Sequence, residues 1–463
     1  MIWFLLQKIG FFIFLLLTIY FAFRRKYESL LILYFFGMTF ATCYVFAFTI
    51  WLPIKIIAMA MVVCLLYEPQ KRYNQAFRVI YPLASFFIIA IMISDLIGIA
   101  ISGPYAPQIN KYMRLINSNY SYLTTIGILF MGIIMNKGFA KRLYPYYCLA
   151  VEVAIAFGLI HFICLKVGVG FMPILRQDGS VNIEALAQMG GKVVSRIYGV
   201  SGEPKNLGFL ICPYLLSSIL MFGQGVYRVN KRYHIATLLA GTFILINTFS
   251  SSALINFFLA LPLVMIFLPS PRITYKAAAI IGSLCIVACF WYLNNETNLS
   301  KINARESEGS FIEQLYERTF GRAQNEMEND RQESVILGYM ASEKNVITMI
   351  FGWGISQYTF HVPGQAIGKS LIPVQSGLVL TLADFGLIGF LLILAICYVI
   401  LKILILSLKN QNTYAQAFSV MALSAFIGSL MFGSITTCFI YLMLALYAYY
   451  DELEMYEITS NKQ

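Results

Sequence analysis

The sequence predicts an all-α protein that crosses a membrane about thirteen times, on three observations. The chain of 463 residues is 59% hydrophobic and 12% charged, with a mean hydropathy of +0.73, whereas soluble domains carry about 25% charged residues. Apolar stretches of about 18 or more residues recur along the chain, which is typical of transmembrane helices. The alternating pattern of a β-barrel strand does not occur, so helices are favoured as spans that satisfy their own backbone hydrogen bonds.

The individual spans follow from these apolar stretches, taken in chain order. Their approximate limits are 3–23, 30–49, 53–67, 79–101, 121–136, 146–168, 207–224, 234–250, 252–268, 277–293, 378–401, 413–431 and 434–449. Basic residues cluster in six short segments between spans, and short Lys- and Arg-rich loops stay cytoplasmic. If the spans alternate, all six clusters lie inside, as does the tail from Asp451, and the N-terminus lies outside. The net charge of +11 is therefore interpreted as topology, and a nucleic-acid or anionic-lipid site is the disfavoured alternative.

Three polar segments are predicted on the opposite side, which in a bacterium is the periplasm or cell exterior. They are residues 102–120, 169–206 and 294–371. The third is the largest and holds 10 of the chain's 22 acidic residues. Apolar residues recur within it at roughly helical spacing, so we expect short amphipathic helices packed on a single transmembrane domain formed by residues 1–463.

The apolar segment after the large loop is too long for one span. Asp384, Gly386 and Gly389 fall within it. We expect a short half-helix at about 374–383 followed by a full helix, because broken helices at membrane depth are tolerated where they line a protein cavity.

A motif before the seventh span is the strongest candidate site. It reads Arg196-Ile-Tyr-Gly-Val-Ser-Gly-Glu203-Pro204-Lys205-Asn206. Glycines and Pro204 predict a turn, and Asn206 is a candidate N-cap for the following helix. A helix N-terminus beside Arg196 and Lys205 favours anion binding, since a guanidinium suits phosphate oxygens. The alternative is an ordinary basic loop at the lipid headgroups.

A second set of candidates lies in the large loop. Arg322 and Arg331 stand among acidic side chains, several of which form solvated surface pairs of little energetic weight. A helical run then ends in Phe351-Gly-Trp-Gly354, where the glycines predict a tight turn or a close backbone approach. His361 follows, and a lone histidine of this kind is more often structural than catalytic.

Charged side chains inside the spans form a third set. Asp95, Glu152 and His161 are functional candidates by position alone. Glu152 and His161 are 2.5 helical turns apart by the pitch of an ideal helix, so a proton relay between them is disfavoured.

Several motifs that would indicate cofactor chemistry are missing from the sequence. It has no Walker loop, no dinucleotide fingerprint and no histidine pair with metal spacing. The nine cysteines fall in or beside apolar spans, which favours packing roles. We therefore expect no cofactor and no metal, and a substrate that arrives already activated.

The order of these motifs resembles that of the O-antigen polymerase and O-antigen ligase superfamily of bacterial glycosyltransferases. The most specific match is Gln375-Ser-Gly-Leu-Val-Leu-Thr-Leu-Ala-Asp384-Phe-Gly386-Leu-Ile-Gly389. The resemblance implies a glycosyltransferase C-like membrane fold in the inner membrane, with its catalytic face in the periplasm. It implies undecaprenyl-diphosphate-linked glycans as donor and acceptor, and it leaves open a partner protein that regulates chain length.

The resemblance also assigns roles to individual residues. Arg196 matches the family's loop arginine that engages the lipid diphosphate, and Arg331 matches the second essential arginine. Family ligases carry a catalytic histidine often found where this chain has Gln375, a departure that favours a polymerase. It leaves Glu203 and His361 as candidates for the general base. The candidate substrate-binding residues are Lys205, Asn206, Arg322, Gln375 and Tyr198.

Two other functions remain as alternatives. One is an O-antigen ligase or another glycosyltransferase that uses polyprenyl-phosphate sugars. The other is a flippase or transporter of the same lipid, which would require intramembrane charges around a midplane site.

Overall fold

The computed structural model describes most of the chain outside the segments 50–74 and 268–331. The described residues are 2–40, 44–45, 48–49, 75–101, 103–105, 110–172, 174–175, 181–182, 186–189, 192–267, 332–343, 345–364, 366–367, 370–371, 374, 376–431 and 433–460.

Helices account for most of the described residues. In chain order they are α1 (Ile2–Phe23), α2 (Tyr27–Thr39), α3 (Gln75–Ala100), α4 (Lys111–Phe130), α5 (Phe139–Val167), α6 (Pro204–Gly223), α7 (Lys231–Asn247), α8 (Ser251–Phe267), α9 (Gln332–Ser342), α10 (Val346–Phe351), α11 (Tyr358–His361), α12 (Gly377–Lys409), α13 (Thr413–Met431) and α14 (Phe439–Ser460). Single 3₁₀ turns at Met131–Ile134 and Ile435–Cys438 follow α4 and precede α14.

Short strands occur only between helices in the described part of the chain, as four antiparallel pairs. They are β1 (Tyr44–Val45) with β2 (Phe48–Thr49), β3 (Ile174–Leu175) with β4 (Val181–Asn182), β5 (Leu186–Met189) with β6 (Lys192–Ser195), and β7 (Ala366–Ile367) with β8 (Ser370–Leu371).

Six helices in the described residues are long and apolar enough to cross a membrane. They are α1, α3, α5, α6, α12 and α13. The prediction of a helical multi-pass membrane protein is confirmed at this level. Two of the predicted spans, 53–67 and 277–293, lie outside the described residues.

Two boundaries differ from the sequence expectation. Residues 111–120, expected in a polar outer loop, form the first half of α4, because Asn110 caps the helix by accepting hydrogen bonds from the backbone of Tyr112 and Met113. The expected tail after Asp451 is instead the continuation of α14 to Ser460. Asp451 is buried and accepts a 2.8 Å hydrogen bond from the Gly138 amide.

The described chain divides into two compact units. Unit 1 comprises Met1–Ile57 and Phe139–Glu326, and unit 2 comprises Ala58–Gly138 and Met327–Gln463.

Unit 1 is organised around α6, which is its most buried helix. A Cβ at Gly208 would lie 2.4 Å from the Ala253 Cβ, so the small residue allows α6 and α8 to approach closely. Within the same unit α2 packs on α5, where the Phe35 and Tyr147 rings meet edge to face with centroids 5.5 Å apart.

Unit 2 is built on α12, α13 and α14, with α3 and α4 packed against them. Its centre is the Phe87 ring of α3, whose centroid lies within 6 Å of the rings of Tyr122, Phe385 and Phe439. This aromatic cluster joins the consecutive helices α3 and α4 to α12 and α14, which come much later in the chain.

One face of α12 carries a continuous row of exposed apolar side chains. They are Leu387, Phe390, Leu391, Leu394, Tyr398, Leu401 and Ile405. A patch of this length is unfavourable in water and is the surface that a helix presents to lipid.

The helix α12 is interrupted near its start. Gly386 has φ 59° and ψ −139°, which is not helical. The helix thus begins at Gly377 and breaks at Gly386, whereas the sequence placed a half-helix at about 374–383.

Candidate functional site

Arg196 of unit 1 follows strand β6 and lies against the end of α7. Its Nε donates to the Thr248 carbonyl at 3.1 Å and its Nη2 donates to the Phe249 carbonyl at 3.2 Å. Phe249 has φ 46°, a left-handed conformation that is uncommon for a bulky residue and is often found at functional sites. Two carbonyl acceptors therefore fix the plane of the guanidinium.

The loop after Arg196 is held by a buried histidine of α5. His161 Nδ1 lies 3.3 Å from the backbone N–H groups of both Tyr198 and Gly199, and accepts from them. The His161 ring also stacks on Phe171, with centroids 4.4 Å apart and planes at 9°. His161 thus acts as an anchor for this loop.

Tyr198 lies in the core of unit 1. It is 0% exposed, and its hydroxyl donates to the Met172 carbonyl at 2.6 Å. These surroundings favour a packing role over the substrate contact that the sequence suggested.

The helix α6 begins about one turn before Asn206, the residue that the sequence predicts as its N-cap. Glu203 is the N-cap residue, Pro204 is the first helical residue, and Asn206 lies inside the first turn of α6. Asn206 is therefore not the N-cap, which corrects the sequence prediction. Glu203 makes no capping hydrogen bond with its side chain and pairs with Lys205, whose Nζ lies 3.3 Å from Glu203 Oε2.

Unit 1 thus combines an oriented guanidinium, an exposed lysine–glutamate pair and a helix N-terminus within one short segment. The partial positive charge at the start of α6 and the two cationic side chains favour an anion. The negative charge of the exposed Glu203 carboxylate is the feature of the motif that disfavours anion binding.

In unit 2, the Gly352–Gln357 turn packs directly on the break in α12. The Trp353 amide donates to the Ala383 carbonyl at 2.8 Å. A Cβ at Gly352 would lie 2.5 Å from Asp384 C, and one at Gly354 would lie 2.4 Å from Gly98 Cα. The close backbone approach that the Gly-Trp-Gly spacing predicts is therefore present.

Asp384 connects this turn to α3 and α4. Its carboxylate accepts hydrogen bonds from the Ser356 amide at 2.7 Å and from the Tyr122 hydroxyl at 3.1 Å. Its backbone carbonyl accepts from Ser94 Oγ at 2.6 Å. At 2% exposure, Asp384 is the buried polar centre of the junction.

His361 lies at the end of the same segment and stacks on Trp353, with ring centroids 5.1 Å apart and planes at 10°. The Trp353 Nε1–H donates to Glu343, whose other carboxylate oxygen lies 3.9 Å from His361 Nδ1. His361 Nε2 is buried and has no hydrogen-bond partner among the described residues. Burial lowers the pKa of His361 below its ordinary value, so the ring is neutral near pH 7 and can accept a proton.

Arg114 and Glu343 are two site residues that the sequence patterns do not predict. The Arg114 guanidinium lies 5.3 Å from the centroid of the Tyr358 ring and its Nη1 lies 3.4 Å from Thr359 Oγ1. Arg114, Ser118 and Tyr122 recur every four residues on α4 and form a helical stripe, but the first two fall in the expected loop at 102–120. Glu343 carries no local signal, since its contacts to Trp353 and His361 arise only on folding.

Three predicted site residues lie outside the described residues. They are Arg322, Arg331 and Gln375.

The long apolar helices define a helical multi-pass membrane protein. No protein-family model matches the sequence, and no curated protein matches it significantly.

Proposed function

We propose that the protein polymerises undecaprenyl-diphosphate-linked oligosaccharide repeat units at the outer face of a bacterial inner membrane. The product would be O-antigen, capsule or exopolysaccharide. The observation that carries the proposal is the Arg196 guanidinium, fixed by two carbonyls in the segment that leads into the N-terminus of α6. The proposal includes the thirteen spans, the glycosyltransferase C-like fold and the periplasmic placement of residues 169–206 and 294–371.

The proposed reaction needs no cofactor because the donor already carries a leaving group. The acceptor hydroxyl oxygen attacks the anomeric carbon of the donor glycan and forms the new C–O bond. The bond from that carbon to the diphosphate oxygen breaks, and its electron pair leaves with undecaprenyl diphosphate. Negative charge grows on the leaving group, and preorganised cations stabilise such charge strongly.

Arg196 is assigned to the leaving diphosphate, because a planar guanidinium can donate two parallel hydrogen bonds to phosphate oxygens. Arg331, which matches the family's second essential arginine, is assigned to the same leaving group, and Arg322 and Gln375 are assigned to substrate binding. Lys205 and Asn206 are assigned to substrate binding from their position at the start of α6.

His361 is the preferred general base in this proposal. Burial keeps it neutral, and its Nε2 has no protein partner among the described residues. Glu343 lies beside the opposite ring nitrogen, where a carboxylate would stabilise the imidazolium formed on proton uptake. Glu203, which is exposed and paired with Lys205, is the second candidate for the base.

Transport of the same lipid is the second candidate function. It is favoured by the break in α12 at Gly386 and by the carboxylates of Asp95 and Asp384 within long apolar helices. Broken helices and intramembrane charges are common at transporter sites.

Reconstitution separates the two functions. The purified protein is placed in vesicles with lipid-linked repeat units, without nucleotide, and the lipid-linked glycans are sized. We expect a ladder of longer glycans from the wild type and from Arg142→Ala, which removes an exposed arginine paired with Glu28. We expect no ladder from Arg196→Ala. Unextended lipid that changes leaflet without any elongation would favour transport, and full-length ladders from Arg196→Ala would refute the site assignment.

A further inference from the structure

We propose that unit 2 binds a sodium ion between α3, α4 and the Gly352–Gln357 turn, through side-chain oxygens of Asp95, Asn119 and Gln357. This inference does not depend on glycosyl transfer, because the polymerase proposal assigns no role to any of these three residues.

Each of the three side chains has one buried oxygen without a hydrogen-bond partner among the described residues. These oxygens are Asp95 Oδ1, Asn119 Oδ1 and Gln357 Oε1. Gln357 as a whole is 1% exposed. Buried polar atoms in proteins nearly always have a partner, so three such acceptors in one region require an explanation.

Local contacts tie together the three segments that carry these side chains. Asn119 Nδ2 donates to Asp95 Oδ2 at 2.7 Å, which joins α4 to α3. The Gln357 Cγ lies 3.2 Å from the position that a Cβ on Gly98 would occupy. Gly98 is three residues after Asp95 and therefore on the same face of α3. Ser118 and Ser356, the neighbours of Asn119 and Gln357, hydrogen bond to each other at 2.8 Å.

The orientations of both amides are fixed by their nitrogen atoms. Asn119 uses its NH₂ group on Asp95, and Gln357 uses its NH₂ group on the Ile355 carbonyl at 3.0 Å. Rotating either amide would place an oxygen against another acceptor. The three buried oxygens without a partner are therefore all hydrogen-bond acceptors. A cation is a ligand that can bind several such oxygens at once.

The charge of the site selects a monovalent ion. Asp95 supplies one carboxylate, while both carboxylate oxygens of the nearby Asp384 are already engaged by Ser356 and Tyr122. Divalent Ca²⁺ sites use several carboxylates, and in the described part of the chain no three His, Cys, Asp or Glu residues lie together as metal ligands. A single carboxylate with two amide oxygens matches the charge and hard oxygen chemistry of Na⁺.

The position of the site agrees with ion binding in membrane proteins. Asp95 lies on α3, a helix long and apolar enough to span the bilayer, and the Gly352–Gln357 turn rests on the break in α12. Intramembrane carboxylates and interrupted helices recur where membrane proteins coordinate monovalent cations.

Thermal unfolding of the purified full-length protein in detergent tests the site. Melting is compared in NaCl, KCl and choline chloride at equal ionic strength. Since a ligand that binds only the native state stabilises it, we expect Tm to rise with Na⁺ and then saturate, with little response to choline. Asp95→Asn and Gln357→Leu should abolish the Na⁺ response, whereas the control Glu28→Gln in unit 1 should retain it.

Equal Tm values in the three salts would overturn the proposal, as would a wild-type response to Na⁺ in Asp95→Asn. A Tm that depends on pH but not on Na⁺ would show that Asp95 is protonated instead, and would also overturn it. If the variants do not fold, equilibrium binding of ²²Na⁺ to the wild-type protein decides the matter. Saturable binding that excess NaCl displaces and choline chloride does not would support the site, and the absence of saturable binding would refute it.

Discussion

Asp384→Asn tests the claim that one buried carboxylate holds the junction of unit 2 together. The wild-type side chain is 2% exposed and accepts from the Ser356 amide at 2.7 Å and the Tyr122 hydroxyl at 3.1 Å. An asparagine retains one acceptor oxygen, but its NH₂ group then faces a donor. The substitution therefore removes one hydrogen bond to a charged group. It also leaves the buried NH₂ group of the asparagine facing another hydrogen-bond donor.

The expected loss in the free energy of unfolding is the sum of two contributions, from the lost hydrogen bond and from the unsatisfied buried group. A hydrogen bond to a charged group contributes about 1.5–3 kcal/mol, and an unsatisfied buried polar group costs about 1–3 kcal/mol. Their sum is about 2.5–6 kcal/mol, a range that includes the cost of about 3–5 kcal/mol for breaking a buried ion pair. For a unit of this size the apparent Tm should fall by about 10 °C.

The assay is thermal unfolding of the purified protein in detergent, followed by tryptophan fluorescence. Trp353 lies in the turn that Asp384 holds, so its signal should change first. Glu28→Gln is the matched carboxylate-to-amide control; its partner Arg142 is exposed, and such pairs contribute less than about 1 kcal/mol. An Asp384→Asn protein that melts within about 1 °C of the wild type would refute the reasoning.

Three further predictions concern single substitutions. Gly386→Ala should destabilise unit 2 by about 1–3 kcal/mol or more in the same melting assay, because φ is 59° and the new Cβ would lie 2.5 Å from the Gly352 amide; unchanged melting would show that the helix break is not strained. Arg196→Lys keeps the charge but loses the planar contacts to two carbonyls, and should slow elongation in vesicles about 100-fold; wild-type rates would remove the guanidinium from the mechanism. His361→Phe keeps the stack on Trp353 and should slow elongation at least about 100-fold. Because folding lowers the pKa of His361, the neutral ring stabilises the folded state above about pH 6.5, and this stability is lost as the pH falls below that value. In pH-dependent melting, His361→Phe should reduce this loss of stability. An unchanged pH profile in the variant would contradict the prediction.

Local sequence patterns predict the local features of this fold. Hydropathy identifies a helix such as α12 because burial in lipid depends on the residues of that helix alone. The Gly352 and Gly354 positions predict a close backbone approach because only glycine leaves room for it. The break in α12 follows in the same way from the glycines within a segment too long for one span.

Contacts between distant segments could not be predicted from those patterns. Asp384 was recognised as part of a motif, but its partner Tyr122 lies 262 residues away. Tyr198 was expected to face a substrate because it stands within a polar motif. Its position in the core depends on His161, which belongs to α5, and on Met172, which lies 26 residues earlier in the chain.

The boundary errors have a physical cause of their own. In the first half of α4, Arg114 and Ser118 hydrogen bond to Thr359 and Ser356 of the neighbouring segment, and polar residues of this kind give the stretch the low hydropathy of a loop. Asn110 in fact begins a helix with a side-chain cap. A polar stripe that includes Arg114 at helical spacing was the signal that distinguishes the two cases.

The most direct test of the proposed function is the affinity of the purified protein for undecaprenyl diphosphate, the leaving group that Arg196 is proposed to hold. Titration of the lipid into the wild type and Arg142→Ala should give the same dissociation constant. Arg196→Ala should bind at least about 10-fold more weakly, since the loss of a charge-assisted hydrogen bond costs about 1.5 kcal/mol or more. Equal affinities in the wild type and Arg196→Ala would contradict the role given to this guanidinium.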